Sequence, residues 1–321
     1  MKVPEEPRMS TTPSIDGILV EWGERLFYPG NRIVKSRTPR LGRFTSRADA
    51  IRSRIEATVR RAPQVMVKVT GGGRGMKAIA AHLRYISKCG RLEIEDDRGV
   101  VEKGRDALRD IERQWRFGGA YIDDVGPRRE AFNVMLSMPK GTDPLILQKA
   151  VREFARIEFA DHRYVMVLHT HQANPHVHLS VKAESKHGKR LNPRKADLQR
   201  WRETFAERLR EWGIDAEATR QAVRGAVRNY PDLWRKKAAD EGRAHEARPA
   251  RKTGAAALAS RRSAGQAWAH IAAALRTSSE PDVHRLAASI ERFVMGRELA
   301  RPPKDQARLS REPQRDIGRG R

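Results

Sequence analysis

Apolar and polar positions recur along this chain with two different periods, and the switches between them mark out its elements. From Ser46, which can cap a helix with Asp49 three residues on, Ile51, Ile55 and Val59 recur at helical spacing to about Arg61. The run Gln64-Val65-Met66-Val67-Lys68-Val69-Thr70 is a strand by propensity. Glycines 71, 72, 73 and 75 break it, after which Met76, Ile79, Ala80, Leu83 and Ile86 form one stripe of a helix running to about Lys88. Leu108, Ile111 and Trp115 predict a short helix. Phe132, Val134, Leu136 and Met138 alternate as a strand buried on one side and end in the turn Pro139-Lys140-Gly141-Thr142. Leu147, Val151, Phe154 and Ala155 make the next amphipathic helix.

Arg163 to Leu168 is a continuous β-branched and aromatic run, which predicts a strand buried on both faces and central in a sheet. After a turn carrying Asn174 and Pro175, the stretch from His176 to Val181 alternates strictly. Val177, Leu179 and Val181 face one way, His176, His178 and Ser180 the other. A loop of Gly188, Lys189, Arg190, Asn192 and Pro193 then feeds a helix with Leu198, Trp201, Phe205, Leu209 and Trp212 at helical spacing and Gly213 at its end. Strands interleaved with helices and joined by a hairpin predict an α+β fold, a central antiparallel sheet with helices packed on it.

The two ends read differently. Residues 1–45 are rich in Pro, Gly, Ser, Thr and Arg without sustained periodicity, so an arm with at most local structure is expected there. Beyond about Asn229 Ala and Arg/Lys dominate; Trp268, Ile271 and Leu275 share a helical stripe, a second helix is expected over Leu286 to Leu299, and Arg301 to Arg321 reads as a disordered basic tail. Three regions follow: a basic N-terminal arm with one amphipathic helix (1–63), the α+β domain (64–229) and a basic, partly disordered C-terminal region (230–321) for binding DNA or a partner.

Composition narrows the partners. With 33% charged and only 6% aromatic residues, the chain has too little apolar material to bury all of its 321 residues. A net charge of +25 predicts a polyanionic partner held with salt-dependent affinity, and nucleic acid fits best. There is no 18-residue apolar run and no apolar N-terminal signal segment, so no membrane insertion is expected and the protein should be soluble and cytoplasmic. One cysteine, Cys89, excludes an intramolecular disulfide and a cysteine-rich zinc site, which leaves histidine and oxygen ligands for any metal. The glycine loop before Met76 lacks the Lys-Ser/Thr ending of a nucleotide P-loop and the spacing of a dinucleotide fingerprint.

Four of the ten histidines stand within ten residues, at 169, 171, 176 and 178. A hairpin joining the two strands would bring His169, at the end of the first, beside His176 and His178 at the start of the second. Three imidazoles then converge and leave coordination positions open, as a catalytic metal requires. His171 lies in or next to the turn, where solvation, a phosphate contact and ligation all stay open.

Tyr85 is off the apolar stripe of its helix. At about 100° per residue it lies nearly opposite Met76 and Leu83, with Arg84 and Lys88 on flanking directions. A surface tyrosine is ordinary; beside a polyanion-binding surface and a metal site it completes the parts for attack of a phenol on a phosphodiester. A phenol, with a pKa of about 10, needs a nearby base or cation to become the nucleophile. A metal would bind the non-bridging phosphate oxygens and offset the charge that builds in the transition state.

These residues resemble those of plasmid relaxases, the mobilisation nucleases of the HUH endonuclease superfamily, particularly the branch with the nicking endonuclease of T-DNA borders. The resemblance covers roughly residues 64–229 and is carried by Leu83-Arg84-Tyr85-Ile86-Ser87-Lys88-Cys89-Gly90, Asn133 to Asp143, the histidine motif, and Ala218-Thr219-Arg220 through Arg224-Gly225. It implies Tyr85 as nucleophile and His169, His176 and His178 as ligands of a divalent metal, usually magnesium or manganese. Three imidazoles would also accept zinc, nickel or cobalt. The implied activity is cleavage of one strand of single-stranded DNA at an origin of transfer through a 5'-phosphotyrosyl link, reversible so that the strand is rejoined at termination. Accessory relaxosome proteins and a type IV secretion coupling protein are the implied partners, with recruitment from the bacterial cytoplasm to the conjugation apparatus. Candidate DNA contacts are Arg84, Lys88, His171, Lys189, Arg190, Arg194, Arg220 and Arg224. Some members carry an acidic residue two after the first metal histidine, where this chain has His171, so the group that orients a ligand or takes the tyrosine proton is left unassigned.

Three rivals share some of these parts. HUH replication initiators and some transposases usually place the histidine motif before the tyrosine, whereas Tyr85 precedes His169. A non-catalytic basic DNA-binding protein with a structural metal would need a closed fourth ligand, and none is evident. A zinc hydrolase of small molecules would leave the charge of +25 unexplained.

Overall fold

Period-two alternation builds a six-stranded antiparallel sheet in the computed structural model, which describes residues 14–28, 47–228, 242, 251–296 and 299. In chain order the strands are β1 (Met66–Gly71), β2 (Ile94–Asp96), β3 (Val101–Glu102), β4 (Ala131–Ser137), β5 (His162–His169) and β6 (His176–Ser185). Across the sheet they run β1-β4-β6-β5-β2-β3, each neighbouring pair antiparallel. The helices are α1 (Ile15–Phe27), α2 (Arg47–Val59), α3 (Met76–Ile86), α4 (Arg105–Phe117), α5 (Pro144–Glu158), α6 (Lys195–Glu211), α7 (Ala255–Arg276) and α8 (Pro281–Met295). The α+β architecture expected from the sequence is therefore the one observed.

The two faces of the sheet carry different layers because side chains alternate along each strand. Tyr164 and Met166 of β5, with Val177, Leu179 and Val181 of β6, pack under α5 and α6 against Phe154, Phe159, Trp201 and Phe205. Val165 and Val167 point the other way, to Ile79, Leu83 and Ile86 of α3 and Leu108, Ile111 and Trp115 of α4. Continuing the alternation, His169, His176 and His178 fall on the α3 side. A one-residue slip would exchange the two sets, and the wholly buried Val177, Leu179 and Val181 hold the register against it.

The chain divides into two compact units. The sheet with α3 to α6 occupies residues 60–218, and the other unit contains α1, α2, α7 and α8. In the latter, Leu19, Leu26 and Phe27 share one apolar cluster with Ile51, Ile55, Trp268, Ile271, Leu275, Ile290 and Phe293. This corrects the expectation of at most local structure before residue 46. Ser14 accepts from the Gly17 N–H and starts α1, which buries its apolar side in a shared core. A lone helix at that position gives no repeated signal, and its partners on α7 and α8 lie more than 200 residues away in sequence.

Other differences are local. The short strands β2 and β3 go beyond what the sequence pattern predicts, since three and two residues are too few to show a period. The glycines after β1 answer to packing: the Gly73 carbonyl accepts from both Glu130 and Ala131, and a Cβ on Gly72 would lie 2.2 Å from the Ala131 oxygen. Helix α3 stops at Ile86, and Lys88, Cys89 and Gly90 all turn through left-handed backbone at φ 51°, 59° and 82°. Gly90 meets two demands there, because its Cβ would also sit 2.4 Å from the Gly104 oxygen. The helix expected over Leu286–Leu299 ends at Met295. Ser46 and the tail from Arg301 lie outside the described residues.

Candidate metal centre and nucleophile

The hairpin of β5 and β6 assembles the histidines through its register. His169 stands opposite His176, and His178 opposite Val167, so all three rings rise from one face at the open end of the pair. One nitrogen of each lies within 4.8 Å of the others. A metal–nitrogen bond of about 2.0–2.1 Å needs the nitrogens somewhat closer than this. His171 is exposed in the turn; its ring lies 5.0 Å from that of His169 but it is outside the three-residue cluster.

Backbone carbonyls orient two of the rings. A carbonyl only accepts, so His169 Nε2 carries the proton it donates to the Ile86 oxygen at 2.6 Å, which leaves Nδ1 with a free lone pair. By the same argument His176 Nδ1–H donates to the Asn174 oxygen at 3.0 Å and leaves Nε2 free. Carbonyls thus do here what a carboxylate often does behind a metal-bound histidine. Burial, aided by the neighbouring imidazoles, pushes His178 down to about 3, and burial also holds His169 below the ordinary imidazole value. Both rings are neutral at pH 7, the form that binds a metal. The donor set fits a divalent ion.

The bond from His169 to Ile86 places the nucleophile candidate. Tyr85, the preceding residue, is 72% exposed, while Met76, Ile79, Ala80, Leu83 and Ile86 bury the opposite side of α3. The helix therefore presents a phenol outward while its own last carbonyl grips the histidine cluster. Ser87 steadies the turn that follows, its Oγ accepting from Gly90 N at 3.0 Å. One neighbour escaped the sequence reading. His82, three residues before Tyr85 on α3, lies with its ring 6.4 Å from Tyr85 and 6.3 Å from His178, and burial pushes it down to about 4. The i, i+3 spacing from Tyr85 was the available signal.

The basic candidates divide by what already holds them. Arg84 pairs with Glu112 at 2.9 Å while remaining exposed. Lys88 is half-buried, and Lys189 and Arg194 are exposed. Arg190 is committed internally, to Glu130, Glu184 and the Arg129 carbonyl. Arg220 and Arg224 belong to the helical unit, where they donate to the Leu26 and Thr219 carbonyls. Beside Arg84, a groove of about 500 Å3 between α3 and α4 is lined by Lys77, Arg109, Arg113 and Arg116 together with the acids Glu112 and Asp124, which pair with Arg84 and Arg116. Positions 109, 113 and 116 share one helix face, which was legible in principle.

Residues 94–214 match the family model described as relaxase, MobA/VirD2-like, nuclease domain. The chain is 26% identical over 183 residues to the T-DNA border endonuclease VirD2 of Rhizobium radiobacter, covering 50% of this chain and 43% of that protein. It is likewise 26% identical over 183 residues to the T-DNA border endonuclease VirD2 of Agrobacterium fabrum (strain C58 / ATCC 33970), covering 41% of that protein. The chain thus spans about two fifths of the length of these curated relatives. The matched family segment contains the three histidines and begins after Tyr85.

Proposed function

We propose that this chain is a relaxase of the MobA/VirD2-like kind, whose nuclease-domain model matches residues 94–214, and that it nicks and rejoins one strand of single-stranded DNA at an origin of transfer, with Tyr85 as nucleophile. The observation that carries this reading is the hydrogen bond from His169 to the Ile86 carbonyl, which ties the exposed tyrosine's helix end to the histidine cluster. The phenol oxygen of Tyr85 attacks phosphorus and displaces the 3'-oxygen, which leaves as a hydroxyl. The phenol loses its proton, and the strand's 5'-phosphate stays on the tyrosine. Attack by a 3'-hydroxyl on that ester reverses the step and frees Tyr85.

His169, His176 and His178 would hold the divalent ion, magnesium or manganese. When bound, the ion polarises the phosphate and offsets charge in the transition state. The register of β5 and β6 keeps the three rings on one face, and the two carbonyl acceptors hold their free nitrogens inward. Arg84, Lys88, Lys189 and Arg194 supply strand-binding charge, with the groove between α3 and α4 extending it. In the cell this reading implies mobilisation of a plasmid from the cytoplasm, with accessory proteins at the origin and a secretion coupling protein. Among the described residues, no helix is long and apolar enough to cross a membrane.

The test uses single-stranded oligonucleotides tiling the DNA that flanks the gene, incubated with the full chain and manganese. One oligonucleotide should yield an adduct that survives denaturing electrophoresis. The adduct should be absent with Tyr85→Phe and with EDTA. Its persistence in Tyr85→Phe would remove Tyr85 from the chemistry, and its persistence in EDTA would remove the metal.

A further inference from the structure

An imidazole that binds a metal through one nitrogen carries a proton on the other, and that N–H needs an acceptor. His169 and His176 have theirs, in the Ile86 and Asn174 carbonyls. His178 does not: its Nδ1 is buried with no hydrogen-bond partner. Against it, from the neighbouring helix α3, lies His82, whose Nε2 is also buried and also without a partner. The two rings stand edge to face, 6.3 Å between centroids and 75° between planes. Two buried, unsatisfied ring nitrogens on adjacent side chains each leave a desolvation cost uncompensated. Each can satisfy the other.

We propose that His82 is the positioning residue for His178, accepting from its Nδ1–H through one bridging water so that His178 Nε2 faces the metal. This rests on the reading that the three histidines hold a metal. With 6.3 Å between centroids, the two nitrogens cannot approach closer than about 4 Å, which is beyond a direct hydrogen bond, so a link between them runs through a water. The water accepts from His178 Nδ1–H and donates to His82 Nε2, and His82 takes the tautomer protonated on Nδ1. His82 also lies three residues before Tyr85, its ring 6.4 Å from the tyrosine's. The side chain that aims His178 thus sits one helical turn before Tyr85.

The experiment measures manganese affinity of the full chain by the EPR signal of the free ion, for the wild type, His82→Leu, His82→Gln and, as control, His176→Ala. His82→Leu should bind manganese 10- to 100-fold more weakly, and His82→Gln, whose amide oxygen can accept, should regain most of that. The metal-free melting temperatures of both should match the wild type. Affinity in His82→Leu within threefold of wild type overturns the proposal, as does equal loss in His82→Gln. Cobalt at saturation supplies a second readout. Its ligand-field spectrum should be the same in wild type and His82→Leu, and a change would make His82 a ligand, overturning its positioning role. Should His82→Leu not fold, the comparison of His82→Gln with His82→Ala carries the same outcomes. If the wild type itself binds no manganese, or His176→Ala binds as well as wild type, the metal reading falls, and the role of His82 falls with it.

Discussion

The two compact units bury different kinds of groups. In the helical unit the interior is Leu19, Phe27, Ile51, Ile55, Trp268, Ile271 and Phe293, and its buried polar side chains are simply accommodated. Thr58 and Thr219 hydrogen-bond to each other at 3.0 Å, Arg54 lies over the Phe27 ring at 4.6 Å, and the Trp268 indole donates to the Val223 carbonyl. The sheet unit also has an apolar layer, under α5 and α6, but on its α3 side it buries His169 and His176, half-buries His178, and buries the lysine Lys182. Burying polar groups opposes folding unless each is satisfied. That face tolerates them because β6 is locked by the apolar layer behind it. One face of the sheet is thus packed with apolar side chains alone, while the α3 side combines an apolar core with buried imidazoles and a lysine.

That contrast can be broken in order of effect. Trp268→Ala should cost the helical unit about 3–5 kcal/mol by leaving a cavity among Phe27, Phe293 and Ile271. Manganese affinity of the sheet unit should not change. Calorimetry with a manganese titration checks both, and a parallel loss of affinity would show that the units do not act separately. Deleting residues 229–321 should do more than remove basic charge, because α7 and α8 cover α1 and α2.

Next is Lys182→Met. The ammonium donates to the Trp115, Gly118 and Ala120 carbonyls at 3.1–3.3 Å, pinning the end of α4 to β6. The variant strands those carbonyls and should lose about 3 kcal/mol, read by urea unfolding; a loss below about 1 kcal/mol would mean that Lys182 contributes little.

Acidification comes third. His82 at about 4, His178 at about 3 and the lowered His169 all lie below the unfolded value of 6.5. The unfolded chain therefore takes up protons first as pH falls below about 6.5. In chelator, the sheet unit should be fully stable above that pH and lose stability progressively toward pH 4. A melting temperature at pH 5 equal to that at pH 7.5 would contradict the buried, neutral state of these rings.

The smallest effect is Arg84→Ala. Its exposed pair with Glu112 should contribute at most about 0.5 kcal/mol to stability, while the slope of the salt dependence of single-stranded DNA binding should flatten by about 0.7. An unchanged slope would place Arg84 off the DNA path.

Much of the site was legible in one dimension because periodicity is local. Alternation from His176 to Val181 put two histidines on one face, the turn at Asn174-Pro175 brought His169 back to them, and the stripe of α3 left Tyr85 on the outside. What was not legible depends on contacts distant in sequence. The sequence left open what orients the ligands, and the acceptor for His169 is a carbonyl 83 residues away. No side-chain motif encodes a carbonyl, since every residue has one. His82 was passed over because its i, i+3 relation to Tyr85 means little until β6 brings His178 against it. Arg190 carries charge suited to DNA, and only packing shows it held by Glu130 and Glu184. Helix α1 had no meaning as an element until α7 and α8 closed over it.

The sequence by itself determined which residues could do chemistry and which face of each element they occupied, because side-chain direction follows from backbone period. Tertiary structure decided which of them meet. It set the proton on His169 and His176, brought the unpartnered nitrogens of His82 and His178 onto adjacent side chains of α3 and β6, and tied Arg190 to Glu130 and Glu184. The reason is that hydrogen bonds and desolvation act over a few ångströms in space, between residues that the chain itself keeps far apart.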